Sequence, residues 1–330
     1  MTQQDGKDGK FIVNCIPVDE KDKQRFIEAA GDVPIEFCGD PKNYGDMKVK
    51  AQIPEQLRGR ATAVLGNFDP ALAPQFTNLE WLQTWSAGVD AYIKPGVLPE
   101  GVTVTSATGA YGQSVSEHMI AMMWALMKNL ELYVRDQTAH RWQDEGSVLT
   151  PRGATALVIG TGDIGSHFAG LAKGVGMHTV GVRRSADKSV EGIDEMHGFD
   201  ELDELLPQAD VVALSLPRAA DTHHLIDVRR IAMLKKDAIL VNGGRGDAVD
   251  DDALAEALKH NAIRGVGLDV FETEPLPPTH PLWNEPRCLM TPHVAGGSHL
   301  ASNDAHIVDI AVANVRRYAN GEPLQDNAHR

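Results

Sequence analysis

The sequence predicts an α/β protein of two domains. Short apolar runs bounded by Gly, Pro or Asn alternate with helical stretches along the chain, the rhythm of parallel sheets covered by helices. One strand–turn–helix unit near the middle, residues 154–185, carries the glycine spacing G-x-G-x-x-G. At 330 residues the chain is long enough for two cores.

In chain order, residues 1–9 are expected to fray. Residues 11–16 read as a strand, Glu20–Ala30 as a helix and residues 34–38 as a second strand. Residues 61–66, 81–85 and 102–106 supply three more strands, completing a first parallel α/β domain. Trp85-Ser86-Ala87-Gly88-Val89-Asp90 ends one of them. Small residues there let backbone N–H groups face a ligand beyond the strand's carboxyl end, although a plain strand-to-helix turn has the same composition. Residues 114–139 predict one long helix, apolar almost all round its first half, so it must be buried between domains or against a partner subunit. Its methionines read as packing.

The glycine unit follows. Residues 156–159 form a buried strand, 166–174 a helix and 177–182 the next strand. Between the first two lies Gly160-Thr161-Gly162-Asp163-Ile164-Gly165. The first Gly permits the turn, the second lets backbone approach a pyrophosphate, and the third lets helix pack on strand. This is the opening of a Rossmann-type dinucleotide-binding domain, with the helix N-terminus turned to the phosphates. An NAD site carries Asp or Glu at the end of the second strand. Here Arg183-Arg184-Ser185 stand instead. Guanidinium groups and a hydroxyl suit a 2′-phosphate, so NADP(H) is preferred and NAD(H) is second; a solvated basic loop is the alternative.

The α/β rhythm then continues. Helices are predicted at 202–206, 229–234 and 250–260, and strands at 211–215, 238–242, 266–270 and 289–291. A last helix at 298–320 comes too late to extend that sheet and is expected to return to the first domain. The expected division is therefore 1–112 with 299–330, and 113–298.

Composition narrows the function. A net charge of −15 argues against nucleic acid and anionic membrane as partners. The three cysteines, Cys15, Cys38 and Cys288, form no C-x-x-C pair, which reads as buried, reduced thiols. The N-terminus has no apolar signal segment, and the longest apolar run, 119–127, is too short to span a bilayer. A cytoplasmic protein is expected. None of the 13 histidines lies in a spacing such as H-E-x-x-H, so no metal is expected.

Polar residues follow three successive strands: Asn242-Gly243-Gly244-Arg245-Gly246; Asp269 with Glu272-Thr273-Glu274-Pro275; and Thr291-Pro292-His293. In open α/β sheets such strand ends converge on a ligand. With the glycine unit, N-x-x-R-G followed by V-D-x-x-A-L, then G-x-x-L-D-V-F-E-x-E-P and T-P-H, the chain resembles the D-isomer-specific 2-hydroxyacid dehydrogenases. Ser86–Asp90 and Ser116-Glu117-His118 fit as well, so the resemblance covers nearly the whole chain.

The resemblance implies a flavodoxin-like substrate domain beside the Rossmann-type domain, and it implies roles. Arg245 matches the residue that holds a 2-oxo acid carboxylate and polarises its carbonyl. His293 matches the acid/base, and Glu274 its carboxylate partner. Ala87 and Gly88 match backbone donors to the substrate carboxylate. Asp269 matches the residue that holds the nicotinamide carboxamide, and Leu216, Pro217, Thr222 and Gly243 match cofactor contacts. Gly243 and Gly244 suggest an arginine loop looser than in relatives, and Arg218 an extra cation near the cofactor. Loops at 43–45 or Trp85 are expected to meet the substrate beyond C3. Formate dehydrogenases look similar but carry Gln where this chain has Glu274.

The expected activity is NAD(P)H-dependent reduction of a small 2-oxo acid, glyoxylate or hydroxypyruvate first, by a homodimer. The alternative is a dinucleotide-sensing protein like the C-terminal binding protein corepressors, which resemble this family.

Overall fold

The computed structural model describes residues 9–40, 42, 50–297 and 300–325. The expected frayed start (Gly9 apart) and the loop at 43–45 lie outside the described residues. The chain divides into two compact units, Gly112–Gly296 and the combination of Met1–Tyr111 with Gly297–Arg330.

The first unit begins with β1 (Ile12–Asn14), α1 (Glu20–Ala30), β2 (Ile35–Phe37), α2 (Glu55–Arg58), β3 (Ala63–Leu65), β4 (Trp81–Gln83) and β5 (Thr103–Thr105). The strands pair in parallel in the order β2-β1-β3-β4-β5, the flavodoxin-like order. Strands β1, β3 and β4 are buried at every position, which is why they read as apolar runs without alternation. Helix α1 starts where the Asp19 carboxylate accepts from the Asp22 N–H and stops at Gly31, whose φ of 57° a side chain would resist.

The second unit holds α3 (Gly112–Met127), α4 (Leu130–Thr138), β6 (Thr155–Ile159), α5 (Asp163–Gly174), β7 (His178–Val182), β8 (Glu195–His197), α6 (Leu202–Leu205), β9 (Val211–Leu214), α7 (Val228–Ile231), β10 (Ile239–Asn242), α8 (Asp251–Lys259), β11 (Gly265–Leu268) and β12 (Cys288–Met290). Its strands pair in parallel in the order β12-β11-β10-β9-β6-β7-β8. The order reverses at β6, and a doubly wound sheet binds its ligand beyond the strand ends at that reversal.

The chain closes with α9 (Ala301–Asn320), which belongs to the first unit. There Asn314 Nδ2 donates to Gln83 Oε1 at 2.9 Å, and the Tyr318 hydroxyl donates to Glu80 Oε2 at 2.8 Å. These polar contacts fix the register of an otherwise apolar helix face formed by Ile307, Val308, Ala311 and Val315.

One long helix was expected over 114–139, and the structure has two. The break is at Asn129, which takes φ 57° and is fully buried. Its side chain donates to the Glu145 and Ser147 carbonyls and accepts from Arg264 Nη2 at 2.8 Å and Arg287 Nη1 at 3.2 Å. Asn tolerates the left-handed region better than most residues, and it pins the returning segment to the helix pair. Nor does α3 need another domain or subunit to bury its apolar face. It lies on its own sheet, where a Cβ at Gly267 would come 2.8 Å from Met122 Cβ and one at Gly265 2.9 Å from Leu126 Cδ2. The methionines are packing, as expected.

Candidate active site

The glycine loop separates three physical roles. Gly160 has φ 90°, and a Cβ there would lie 2.8 Å from the Ser215 carbonyl oxygen. A Cβ at Gly165 would fall 1.9 Å from the Gly160 oxygen, so α5 could not sit on β6. At Gly162 a Cβ would meet nothing within 4 Å. The protein's own packing does not require that glycine; the open space suits a group brought from outside. No side chain caps the N-terminus of α5, leaving its first N–H groups for an anion. Buried Thr161 beside it has a hydroxyl with no hydrogen-bond partner. An uncapped helix end, an orphaned hydroxyl and an unfilled backbone approach fit a dinucleotide phosphate. Asp163 and Ile164 form the first turn of α5.

At the end of β7 the two arginines differ. The Arg183 guanidinium makes no hydrogen bond or ion pair among the described residues. Arg184 Nη2 instead contacts both carboxylate oxygens of Asp221, at 3.0 and 2.9 Å, with both side chains about two-thirds exposed. So exposed a pair holds by no more than about 1 kcal/mol. Ser185 is exposed beside them.

Beyond β10 the arginine loop is tight, which corrects the expectation of a loose one. Asn242 Oδ1 accepts from the Gly244 N–H at 3.0 Å, and its Nδ2 donates to the Arg245 carbonyl at 3.0 Å. A Cβ at Gly243 would meet Met119 Sδ at 2.7 Å, and one at Gly244 the Leu216 nitrogen at 2.6 Å. These glycines are small because α3 and the loop after β9 press on them. That second loop is closed by Thr222, whose Oγ1 lies 3.1 Å from the Pro217 carbonyl and accepts from the Ala219 N–H at 3.0 Å. Arg218 is not a spare cation, since its Nε pairs with Asp247 Oδ2 at 2.9 Å.

The ends of β11 and β12 carry the remaining groups. Asp269 is 2% exposed, and its carboxylate is used within the loop. Oδ1 accepts from Thr291 Oγ1 at 2.5 Å and the Val294 N–H at 2.9 Å, and Oδ2 from the Ala295 N–H at 3.0 Å. The Asp269 carbonyl accepts from the His293 N–H at 2.8 Å. Thr291 has one hydroxyl proton, spent on a carboxylate that can only accept. The 2.9 Å contact of His118 Nε2 with Thr291 Oγ1 therefore makes His118 the donor. The sequence displays the motif containing His118 but not this contact, because α3 and β12 are far apart in the chain.

His293 sits at φ 53°, and its Nδ1 lies 2.7 Å from Glu274 Oε2. The other Glu274 oxygen accepts from the Phe271 N–H at 3.0 Å. The hydrogen bond to Glu274 raises the His293 pKa above its ordinary value, against the effect of burial. Burial would push the Glu274 carboxyl up, but the His293 and Phe271 hydrogen bonds outweigh it and hold it below the usual range. Arg245 acts on both, favouring the ionised carboxylate and opposing the imidazolium. The structure thus brings Arg245, Glu274 and His293 into one electrostatic neighbourhood, with the His293 ring half-exposed and Nε2 without a partner among the described residues.

In the first unit, Ser86 Oγ donates to the Gly88 carbonyl at 2.6 Å and accepts from Asn67 Nδ2 at 3.0 Å. The backbone N–H groups of Ala87 and Gly88 donate no hydrogen bond among the described residues. Among those same residues, His223, His224 and Glu272 group three potential metal donors within 4.8 Å. His224 Nε2 lies 3.1 Å from Glu272 Oε1, an imidazole–carboxylate ion-pair distance. No described helix is long and apolar enough to cross a membrane.

Residues 120–295 match the model of the D-isomer specific 2-hydroxyacid dehydrogenase NAD binding domain. A glyoxylate reductase of Thermofilum pendens is 30% identical over 250 residues, 74% of this chain and 73% of that protein. A solved D-isomer specific 2-hydroxyacid dehydrogenase family protein from Aeromonas salmonicida superposes with a TM-score of 0.80 at 30% identity, covering 97% of this chain and 99% of that one. A D-isomer specific 2-hydroxyacid dehydrogenase from Xanthobacter autotrophicus, solved with NADPH and MES, gives 0.77 at 25% identity over 99% and 98%. Sequence over more than half of the chain and fold over nearly all of it agree, and the chain belongs to the D-isomer specific 2-hydroxyacid dehydrogenase family.

Proposed function

We propose that this protein reduces a small 2-oxo acid, glyoxylate or hydroxypyruvate, to the D-2-hydroxy acid with NADPH preferred over NADH. The observation that carries the chemistry is the His293–Glu274 hydrogen bond beside the Arg245 charge. Its geometry commits the proton on Nδ1 to Glu274, so an imidazolium offers its other proton from Nε2 to a carbonyl oxygen. A bound reduced nicotinamide supplies the hydride. Arg245 holds the carboxylate and draws electron density toward the carbonyl oxygen as negative charge develops there. In the first unit, the amides of Ala87 and Gly88, which donate no hydrogen bond among the described residues, are carboxylate donors in this reading. Once His293 has protonated the former carbonyl oxygen, completing the hydroxyl, its ring is neutral; solvent restores the proton, and oxidation runs the same steps backwards. Thr161, Gly162 and the first turn of α5 at Asp163 and Ile164 meet the dinucleotide phosphates, on a turn and a helix packing that Gly160 and Gly165 allow. Leu216, Pro217, Thr222 and Gly243 shape the cofactor's surroundings, and Asp269 keeps lone-pair capacity on Oδ2 for the nicotinamide carboxamide.

The NADPH preference rests on Arg183, whose guanidinium has no partner among the described residues, with Arg184 recruited from its weak surface pair and Ser185 beside them. The Xanthobacter relative, solved with NADPH, supports the same reading. Initial rates with NADPH and NADH over a 2-oxo acid panel test it. Arg183→Ala should raise KM for NADPH about tenfold or more, the loss of one charge-assisted contact, and leave KM for NADH unchanged. An equal effect on both cofactors, or NADH preference in the parent, would overturn the phosphate assignment and leave the reductase chemistry intact.

A further inference from the structure

The two cysteines nearest the N-terminus are 23 positions apart in sequence and face each other in space. Strands β1 and β2 are parallel neighbours with Asn14 opposite Phe37, so the next residues out, Cys15 and Cys38, are also opposite. The Cys38 N–H donates to the Asn14 carbonyl at 2.9 Å, which carries the pairing up to the two cysteines. Neighbouring strands lie about 4.8 Å apart, inside the roughly 4.4–6.8 Å Cα separation that a disulfide spans. The sulfurs themselves are 2.6 Å apart. Glycine lets the backbone close in from both sides. A Cβ at Gly39 would lie 2.9 Å from the Cys15 carbonyl oxygen, and one at Gly66, at φ 119°, 3.2 Å from Cys15 Cβ. Cys15 is therefore wedged, 1% exposed, between the ends of β2 and β3, while Cys38 is partly exposed.

We propose that Cys15 and Cys38 form an oxidisable dithiol that closes to a disulfide by exchange with a small-molecule disulfide such as oxidised glutathione. The geometry divides the roles. Cys38 is the less buried of the two, and Cys15 is the buried partner held against it. The Cys38 thiolate attacks the glutathione disulfide, forming the protein–glutathione bond and releasing one glutathione thiolate. Cys15 then loses its proton and attacks Cys38 Sγ; the Cys15–Cys38 bond forms, the mixed bond breaks, and the second glutathione leaves. Two protein thiols are oxidised, and one glutathione disulfide is reduced to two thiols. The contact between the two sulfurs holds Cys38 below the ordinary thiol range and Cys15, with burial, above it, so Cys38 makes the first attack. The third cysteine, Cys288, is in the other unit and serves as an internal control.

The experiment is equilibration of the folded full-length chain with oxidised glutathione, then denaturation, thiol counting and intact mass. The reduced chain should show three thiols, and the oxidised chain one, that of Cys288, with a loss of two hydrogens in mass and reversal by dithiothreitol. Cys15→Ser should trap a glutathione adduct on Cys38 that the parent does not accumulate. Cys38→Ser should form an adduct at Cys15 at least tenfold more slowly. Circular dichroism of each serine variant, with dinucleotide binding, establishes that it is folded. Three thiols after equilibration, a disulfide that includes Cys288, or equal adduct formation in the two variants would overturn the proposal.

Discussion

His293 is held in an uncommon backbone conformation for a purpose visible in its contacts. A non-glycine residue at φ 53° costs about 1 kcal/mol, and here the bond from the His293 N–H to the Asp269 carbonyl over-determines the turn. The buried Asp269 carboxylate, tied to Thr291 and through it to His118, braces that carbonyl from behind. The pKa directions give a prediction with a definite sign. Because Glu274 raises the His293 pKa, the imidazolium that donates the proton persists to higher pH. The reduction rate should be full below that pKa and fall as pH rises through it. Glu274→Gln removes the charge that causes the shift, so the alkaline limb of kcat/KM for reduction should move to lower pH. A pH–rate profile checks this, and an unmoved limb would separate Glu274 from the proton transfer.

At the scale of elements, the glycine loop offers a contrast between two residues of one motif. Gly165→Ala places a methyl 1.9 Å from the Gly160 oxygen, whereas Gly162→Ala meets nothing. The first should lower thermal stability markedly. The second should keep the parent's melting temperature without cofactor but weaken dinucleotide binding about tenfold or more, since the methyl occupies space left for the ligand. Thermal melts with and without NADPH distinguish the two. Equal loss of stability in both variants would show that Gly162 is a packing residue after all. The strands were legible because most are buried on both faces and bounded by turn residues, and α1 because Asp19 and Gly31 mark its ends. The break at Asn129 was not, because apolar periodicity runs through it and its partners, Arg264 and Arg287, are more than 130 residues away. Strand β8, Glu195–His197, was missed for a similar reason. It is a short, polar edge strand whose signal is its pairing with β7 rather than its composition.

At the scale of the molecule, the glycine unit and the Arg245, Glu274 and His293 cluster were readable as motifs. The pairing of Arg184 with Asp221 and of Arg218 with Asp247 was not, because it depends on which loops meet. The segment from Leu130 to Val148 leaves Leu130, Val134, Trp142 and Val148 exposed. We propose that so many large apolar side chains in one short stretch are covered by a second copy of the chain. Val134→Arg should convert a dimer to a monomer by light scattering, and a monomeric parent would contradict the reading. The central claim is that His293 delivers the proton as a 2-oxo acid is reduced. Its most direct test is the rate of NADPH oxidation with glyoxylate and hydroxypyruvate by the parent and by His293→Ala, beside dinucleotide affinity. Turnover is expected in the parent, with a loss of about a thousandfold in the variant and unchanged dinucleotide binding. A variant that turns over as fast as the parent would contradict the claim, as would a parent that binds dinucleotide tightly but reduces no 2-oxo acid.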